Sequence, residues 1–237
     1  LGLFRLTYLD EMTEVFIKES LLHLEELQDF VDIYKIINSV IVRLVEDIAN
    51  SSMLNITVRT LGSLERFKRR MKESRNLSVR SIGENYRRII EYIIVIYDGF
   101  ETHLNTSEMA ERWTKYVRKI DGLAEYAMLS ASRNTLLGIY DLLNGRNNMK
   151  PDPIIGIEIT LKNRGIVFEP SLEDVVETVK FIHFDLIKSV KVFPRLLEKF
   201  NLPLCDIRPF FQVITEDPEC QEIYYQINSG METILEK

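Results

Sequence analysis

Residues 153–172 read PIIGIEITLKNRGIVFEPSL, and here the helical spacing of the rest of the chain gives way to alternation. Apolar side chains at every second position point to one side of an extended segment and polar or small ones to the other, as in a half-buried strand. The apolar positions are Ile155, Ile157, Ile159 and Leu161. Residues 163–165 have the chemistry of a turn, and Gly165 can take the left-handed conformation of a three-residue loop. The pattern predicts a β-hairpin.

The hairpin should span about Ile155 to Glu169, with residues 166–169 as the return strand. A two-stranded hairpin is at best marginally stable in water. We therefore expect Ile157, Ile159 and Phe168 to be largely buried against other elements.

A long helix is predicted directly after the hairpin. Pro170 ends the return strand, and Ser171 with Asp174 has the pattern of a capping box that opens a helix. Residues 171–193 then carry an apolar stripe at helical spacing, formed by Val176, Val179, His183, Leu186, Val190 and Phe193. Pro194 should end or kink this helix. We expect a turn around Pro194 to join two helical portions, with Phe193 buried at the junction.

Helical periodicity dominates the remaining sequence, in stripes spaced by three and four residues that resemble a coiled-coil seam. The first contains Val31, Tyr34, Asn38, Ile41, Val45 and Ile48, the second Val79, Ile82, Tyr86, Ile89, Ile93, Ile96 and Phe100, and the third Trp113, Val117, Ile120, Ala124, Ala127, Ala131 and Asn134. A last helix should begin at Pro218, after Asp217. Asn and Ser predict loops at residues 50–52, 76–78 and 105–107, and residues 144–153 form the strongest boundary.

These signals predict a mainly α fold, with elongated antiparallel helical bundles and one small β-hairpin. Residues 1–150 are expected to form a helical bundle, residues 151–170 a β-hairpin insertion, and residues 171–237 a second helical bundle segment. The chain starts at Leu1 and stops at Lys237 in the middle of a helical pattern, which indicates a fragment of a larger chain.

The same segments carry a resemblance to a known family. An alternating strand, a glycine turn, Ile-Val-Phe-x-Pro-Ser-Leu (166–172), a long helix and Phe-Pro-Arg-Leu (193–196) together resemble the stem of dynein heavy chains, especially ciliary and flagellar ones. The likeness extends back through Trp113, Tyr116-Val117 and Ile120-Asp121-Gly122. It covers residues 108–237, and residues 1–107 share with it their helical character.

The resemblance implies a non-catalytic stem (tail) segment that precedes the linker and motor domain of an ATP-driven, microtubule-based ciliary motor. It implies a role in mechanical linkage and subunit assembly, with intermediate chains, light chains, neighbouring heavy chains and adjacent stem bundles as partners. It also implies a cytoskeletal place in the axoneme of a cilium or flagellum. The ATPase ring of the family lies outside this segment.

The residues themselves predict neither catalysis nor a cofactor or metal site. No Gly is followed by Lys, so a phosphate-binding loop of the P-loop type is absent. The three histidines, His23, His103 and His183, lack metal-ligand spacing, and a histidine on the apolar stripe of a helix is more typical of a core or interface. Cys205 and Cys220 lie fifteen positions apart and indicate a reducing, cytoplasmic compartment rather than a redox pair. The apolar runs are too short to cross a membrane.

Charge distribution is the one signal that could indicate a partner. Residues 10–47 are rich in acids, whereas residues 66–88 contain a possible interaction patch formed by Arg66, Lys68, Arg69, Arg70, Lys72 and Arg75. The two regions could instead be neighbouring helices of opposite charge, and the sequence leaves both interpretations open. A net charge of −6 and few interleaved aromatic residues disfavour nucleic acid as the partner.

An alternative function does not depend on the resemblance. The chain would then be a cytosolic helical adaptor or tethering module that binds partner proteins through grooves between its helices. Continuation of the reading frame into nucleotide-binding modules would distinguish the motor stem from the adaptor.

Overall fold

A computed structural model describes residues 11–54, 64–100, 107–144, 157–162, 165–204 and 206–235. These residues form seven helices and one two-stranded antiparallel sheet, which confirms the mainly α fold with a single small hairpin. In chain order the elements are α1 (Glu11–Ala49), α2 (Leu64–Phe100), α3 (Ser107–Asn144), β1 (Glu158–Lys162), β2 (Gly165–Glu169), α4 (Leu172–Val190), α5 (Leu196–Lys199), α6 (Phe210–Glu216) and α7 (Pro218–Leu235).

The chain divides into two compact units within α1, after Arg43. The first unit contains residues 11–43 of α1. On its exposed face Asp32 accepts hydrogen bonds from Gln28 and Lys35, both at 3.1 Å. Asn38, the polar exception in the apolar stripe, donates its side-chain N–H to the carbonyl of Tyr34 one turn earlier.

The core of the second unit, residues 44–237, is organised around α3. This helix packs against α4, α5, α6 and α7. The predicted stripe of α3 is buried from Trp113 to Ala131, and Asn134 at its end is exposed. The small residues Ala124, Ala127 and Ala131 are fully buried, and they allow neighbouring helices to approach α3 closely. On α2 the predicted stripe is buried at Ile82, Tyr86, Ile89, Ile93 and Ile96.

The segment after α1 is fixed to α3 by hydrogen bonds. Asn134 of α3 donates its side-chain N–H to the carbonyl of Ala49, the last residue of α1, at 2.9 Å. The backbone N–H of Met53 donates to Oγ1 of Thr135 at 2.8 Å. Residues 50–52 therefore end a helix as predicted, and side chains of α3 satisfy backbone groups that the helix end leaves open.

The prediction of a loop at residues 76–78 is wrong, because α2 continues through these residues without interruption. Phe67, Met71 and Ile82 are buried on both sides of this stretch, whereas Asn76 and Leu77 are exposed. Burial of the flanking apolar face outweighs the weak preference of Asn and Ser for caps. Of the loop predicted at 105–107, Ser107 is described, and α3 begins there.

The hairpin forms where the alternation predicts it, with a different loop and a different environment. Glu158 pairs with Glu169, Ile159 with Phe168 and Lys162 with Gly165. The register leaves two connecting residues rather than three, and Gly165 is a strand residue whose φ lies outside the left-handed region. The predicted burial is also wrong: Ile157 is 37%, Ile159 67% and Phe168 37% exposed.

The alternation correctly predicted which side chains share each face of the hairpin, but it did not predict how exposed those faces are. Cross-strand pairing places Ile159 beside Phe168 and Leu161 beside Ile166 on one face. Within the part of the chain that the structure describes, this apolar face remains largely exposed.

The start of α4 is as predicted, and its end is not. Ser171 is the N-cap residue, and its hydroxyl oxygen accepts a hydrogen bond from the backbone N–H of Asp174 at 3.1 Å. The helix ends at Val190 rather than Phe193, because Lys191 and Val192 already form a turn. Residues 191–195, a turn followed by an irregular stretch that contains Pro194, join α4 to the short α5, so the predicted joining of two helical portions is confirmed.

The division at residues 150 and 170 and the antiparallel arrangement of the long helices stay predictions. Residues 145–156, which contain most of the boundary predicted at 144–153, lie outside the described residues.

Replacing Phe193 by Ala should destabilise the second unit by about 3–5 kcal/mol, the usual cost of truncating a buried Phe. Phe193 is 9% exposed and its ring packs edge-on to Tyr86 with centroids 5.7 Å apart. Urea unfolding of the full chain measures the effect. Phe184→Ala is the matched control, since Phe184 is 55% exposed. Equal, small losses for both variants would contradict the buried junction.

Candidate interaction surface

Arg195 is a nearly buried cation, 6% exposed, in the turn between α4 and α5. Its guanidinium donates to Asp121 of α3 through Nε, at 2.9 Å, and through Nη2. Nη1 donates to a carboxylate oxygen of Glu125 and to the carbonyl of Arg208, the latter at 3.0 Å. Asp121 is 1% exposed and its other oxygen accepts the backbone N–H of Leu196 at 2.7 Å. We call this arrangement the Arg195 junction.

Aromatic rings enclose the Arg195 junction. The guanidinium lies over the ring of Phe210, 4.4 Å from its centroid, in cation–π geometry. The hydroxyl of Tyr86 on α2 donates to the carbonyl of Pro194 at 2.6 Å. Burial is the main cause that raises the pKa of Tyr86 well above its usual value, so this hydroxyl stays a donor at physiological pH. The rings of Tyr86 and Phe210 meet edge to face.

The Arg195 junction brings together two of the sequence motifs that carry the family resemblance. Ile120-Asp121-Gly122 and Phe193-Pro194-Arg195-Leu196 are separated by about seventy residues in the chain and meet in one buried ion pair. Both motifs are recognisable in the sequence, but their contact is not. Asp121 lies four residues after Val117 and three before Ala124 on the apolar stripe of α3, and a charge on such a stripe signals a buried partner elsewhere.

A second ion pair fixes the start of α7. The Asp217 carboxylate accepts two hydrogen bonds from Arg133 of α3 and one from the backbone N–H of Cys220 at 2.9 Å. Burial alone would raise the pKa of Asp217, but the hydrogen bonds from Arg133 and Cys220 outweigh it and lower the pKa. Burial is also the main cause that raises the pKa of the Cys220 thiol to about 12. Cys220 is therefore a protonated core residue.

His183 is a half-buried interface histidine, as its place on the stripe of α4 suggests. Its ring stacks on Tyr224 of α7, with centroids 3.6 Å apart. Its Nδ1 is buried without a hydrogen-bond partner, and burial lowers the pKa of His183 to about 4. At neutral pH this imidazole is uncharged.

The basic patch predicted at residues 66–75 lies on α2 and separates into two faces. Lys68, Arg69, Lys72 and Arg75 line a groove of about 370 Å³ between the N-terminal half of α2 and α4. Arg66 and Arg70 are exposed outside this groove. The apolar lining of the groove includes Leu54, Phe67, Met71, Phe181, Ile182 and Leu186. We call it the α2–α4 groove.

The described residues show no constellation for metal chemistry. Across residues 11–54, 64–100 and the later described ranges, no three His, Cys, Asp or Glu side chains converge on a point that could hold a metal ion. None of the described helices is both long and apolar enough to cross a bilayer. His23 and His103 lack a described side chain, and Cys205 lies outside the described residues.

Comparison with known proteins supports the resemblance to the dynein heavy chain family. The chain is 22% identical to dynein axonemal heavy chain 2 of Mus musculus and, equally, to the same protein of Homo sapiens. Each alignment extends over 222 residues and covers 91% of this chain. It is 24% identical over 147 residues, 56% of this chain, to the dynein-1-beta heavy chain of the flagellar inner arm I1 complex of Chlamydomonas reinhardtii. The chain spans about 5% of the length of the first two and 3% of the third. No protein-family model matches it.

Protonation of His183 should make the fold sensitive to mild acid. Its folded pKa of about 4 lies below the ordinary 6.5, so its neutral form favours folding above pH 6.5 and this contribution is lost as the pH falls towards 4. We expect His183→Phe, which keeps a stacking ring and cannot titrate, to lose less stability than the original chain between pH 7.5 and pH 5. Urea unfolding at the two pH values measures this. Parallel losses in both proteins would contradict it.

Proposed function

We propose that this chain is a non-catalytic stem segment of a ciliary dynein heavy chain, where it provides mechanical linkage and a surface for subunit assembly. The observation that carries the proposal is the similarity to axonemal heavy chains over 91% of this chain, together with its small share of their length. The ATPase activity, the microtubule track and the axonemal location belong to the proposal for the whole protein. Its partners would be intermediate or light chains, neighbouring heavy chains and adjacent stem bundles.

The fold supports a mechanical role through the way its helices are joined. A load applied at α2 can reach α3 and α6 through the Arg195 junction, where Tyr86, Asp121 and Phe210 all contact residues 193–196. Buried, geometrically fixed pairs transmit displacement better than exposed ones because packed interiors are hard to compress. The second ion pair, between Arg133 and Asp217, continues this connection to α7.

The hairpin supports an assembly role. Its apolar face presents Ile159, Leu161 and Ile166, which are 67%, 79% and 64% exposed. Exposed apolar surface of this kind is typical of a contact site rather than of a free surface. A neighbouring stem bundle or subunit would supply the cover that the described residues do not.

The length and the binding partners of the native polypeptide test the proposal. An epitope tag placed at the native locus should recover this chain as part of a much longer polypeptide that contains nucleotide-binding modules, together with other dynein subunits. Mass spectrometry of the recovered material measures this, with the same tag on an unrelated protein as the control. Recovery of a short polypeptide bound to non-dynein proteins would overturn the stem proposal in favour of the adaptor.

Purified residues 1–237 should neither bind nor hydrolyse ATP, because the sequence has no phosphate-binding loop. Isothermal titration and a phosphate-release assay measure binding and turnover. Saturable ATP binding at micromolar concentration would contradict a non-catalytic segment.

A further inference from the structure

The α2–α4 groove combines an apolar floor with a row of cations. Phe67 and Met71 of α2 and Ile182 of α4 form part of the floor, and Phe181, 59% exposed, stands at its edge. On α2, Lys68, Lys72 and Arg75 recur at positions i, i+4 and i+7, so they lie along one side of the helix over about 10 Å. The groove of about 370 Å³ is large enough to accept several apolar side chains.

The cations of the groove are not balanced by the acids beside them. Four bases and two acids line it. Of the acids, Asp185 forms an ion pair with Arg75, and Glu65 lies 3.9 Å from Lys68 in an exposed contact of little strength. Within the described residues, Arg69 and Lys72 have no carboxylate partner. The excess positive charge thus faces solvent next to exposed apolar surface.

We propose that the α2–α4 groove binds an acidic amphipathic helix of a partner protein. Such a helix places apolar side chains at i, i+3, i+4 and i+7 in a groove, and carboxylates on its flank would meet Arg69, Lys72 and the exposed Lys68. Opposite charges on the two surfaces would speed association and fix the orientation of the helix. The inference rests on the charge and shape of the groove, so its failure would leave the stem proposal untouched.

Binding of a labelled peptide to the full chain tests the proposal. The probe is a synthetic amphipathic peptide unrelated to this chain, made of three repeats of Glu-Leu-Glu-Glu-Leu-Leu-Glu, in which the leucines form one helical stripe and the glutamates flank it. Fluorescence anisotropy should show saturable binding that weakens as salt rises. Arg69→Glu/Lys72→Glu should weaken binding by about tenfold or more. Absence of saturable binding would overturn the proposal.

A matched control separates the groove from general positive charge. Arg66→Glu/Arg70→Glu makes the same change in net charge on the same helix but outside the groove. The proposal requires this variant to lose much less affinity than the groove variant, and equal losses would overturn it. All four residues are exposed, so thermal melts of both variants should resemble that of the original chain. Phe181→Ala should also weaken binding, as an uncharged check on the apolar contribution.

Experiments with the original chain and the groove variant also distinguish the partner helix from two other occupants of the groove, a second copy of the chain and nucleic acid. Sedimentation analysis of the full chain would reveal self-association, and its loss in Arg69→Glu/Lys72→Glu alone would replace the partner helix with a second copy of the chain. Binding of a single-stranded oligonucleotide with the same dependence on Arg69 and Lys72 would replace it with nucleic acid. A monomeric chain that binds the peptide and not the oligonucleotide supports the proposal.

Discussion

Arg195 is a cation removed from water, and the arrangement of the second unit follows from the need to satisfy it. Four of its five N–H donors are used, by Asp121, Glu125 and the carbonyl of Arg208. A guanidinium buried without such partners would cost several kcal/mol, so α3, the 193–196 turn and the segment before α6 must meet at this point. Phe193 and Tyr86 add α2 to the same site, because Tyr86 contacts both the Phe193 ring and the Pro194 carbonyl.

The other contacts of the second unit extend this arrangement along α3. The buried alanine positions allow the downstream helices to approach, and Arg133, further along the helix, holds the start of α7 through Asp217. Next to Arg133, Asn134 and Thr135 hold the end of α1 and the segment that follows it. One helix therefore carries the fixed points for elements that are far apart in sequence.

Sequence reasoning worked where a local rule governs the structure. Periodicity predicted the buried faces of α2, α3 and α4, and local chemistry predicted the cap at Ser171 and the start of α7 at Pro218. It did not work where partners are distant. No local sequence pattern indicates that Asp121 pairs with Arg195. A single charged residue in a helix is usually solvated, so its presence alone does not reveal a buried partner. The exposure of Ile159 likewise depends on what packs against the hairpin. The interaction patch at residues 66–75 stays a prediction, and its division by the α2–α4 groove could not be read from the sequence because it depends on the position of α4.

A double-mutant cycle at Asp121 and Arg195 tests the central claim, that this pair fixes the second unit. Asp121→Asn and Arg195→Met should each lower the free energy of unfolding by about 3–5 kcal/mol, because each leaves a buried group without its partner. The double variant should lose clearly less than the sum, with a coupling energy of about 1–3 kcal/mol. Arg80→Met, in an exposed pair with Glu84, should cost less than about 1 kcal/mol. Additive losses, or single losses as small as that of Arg80→Met, would contradict the account.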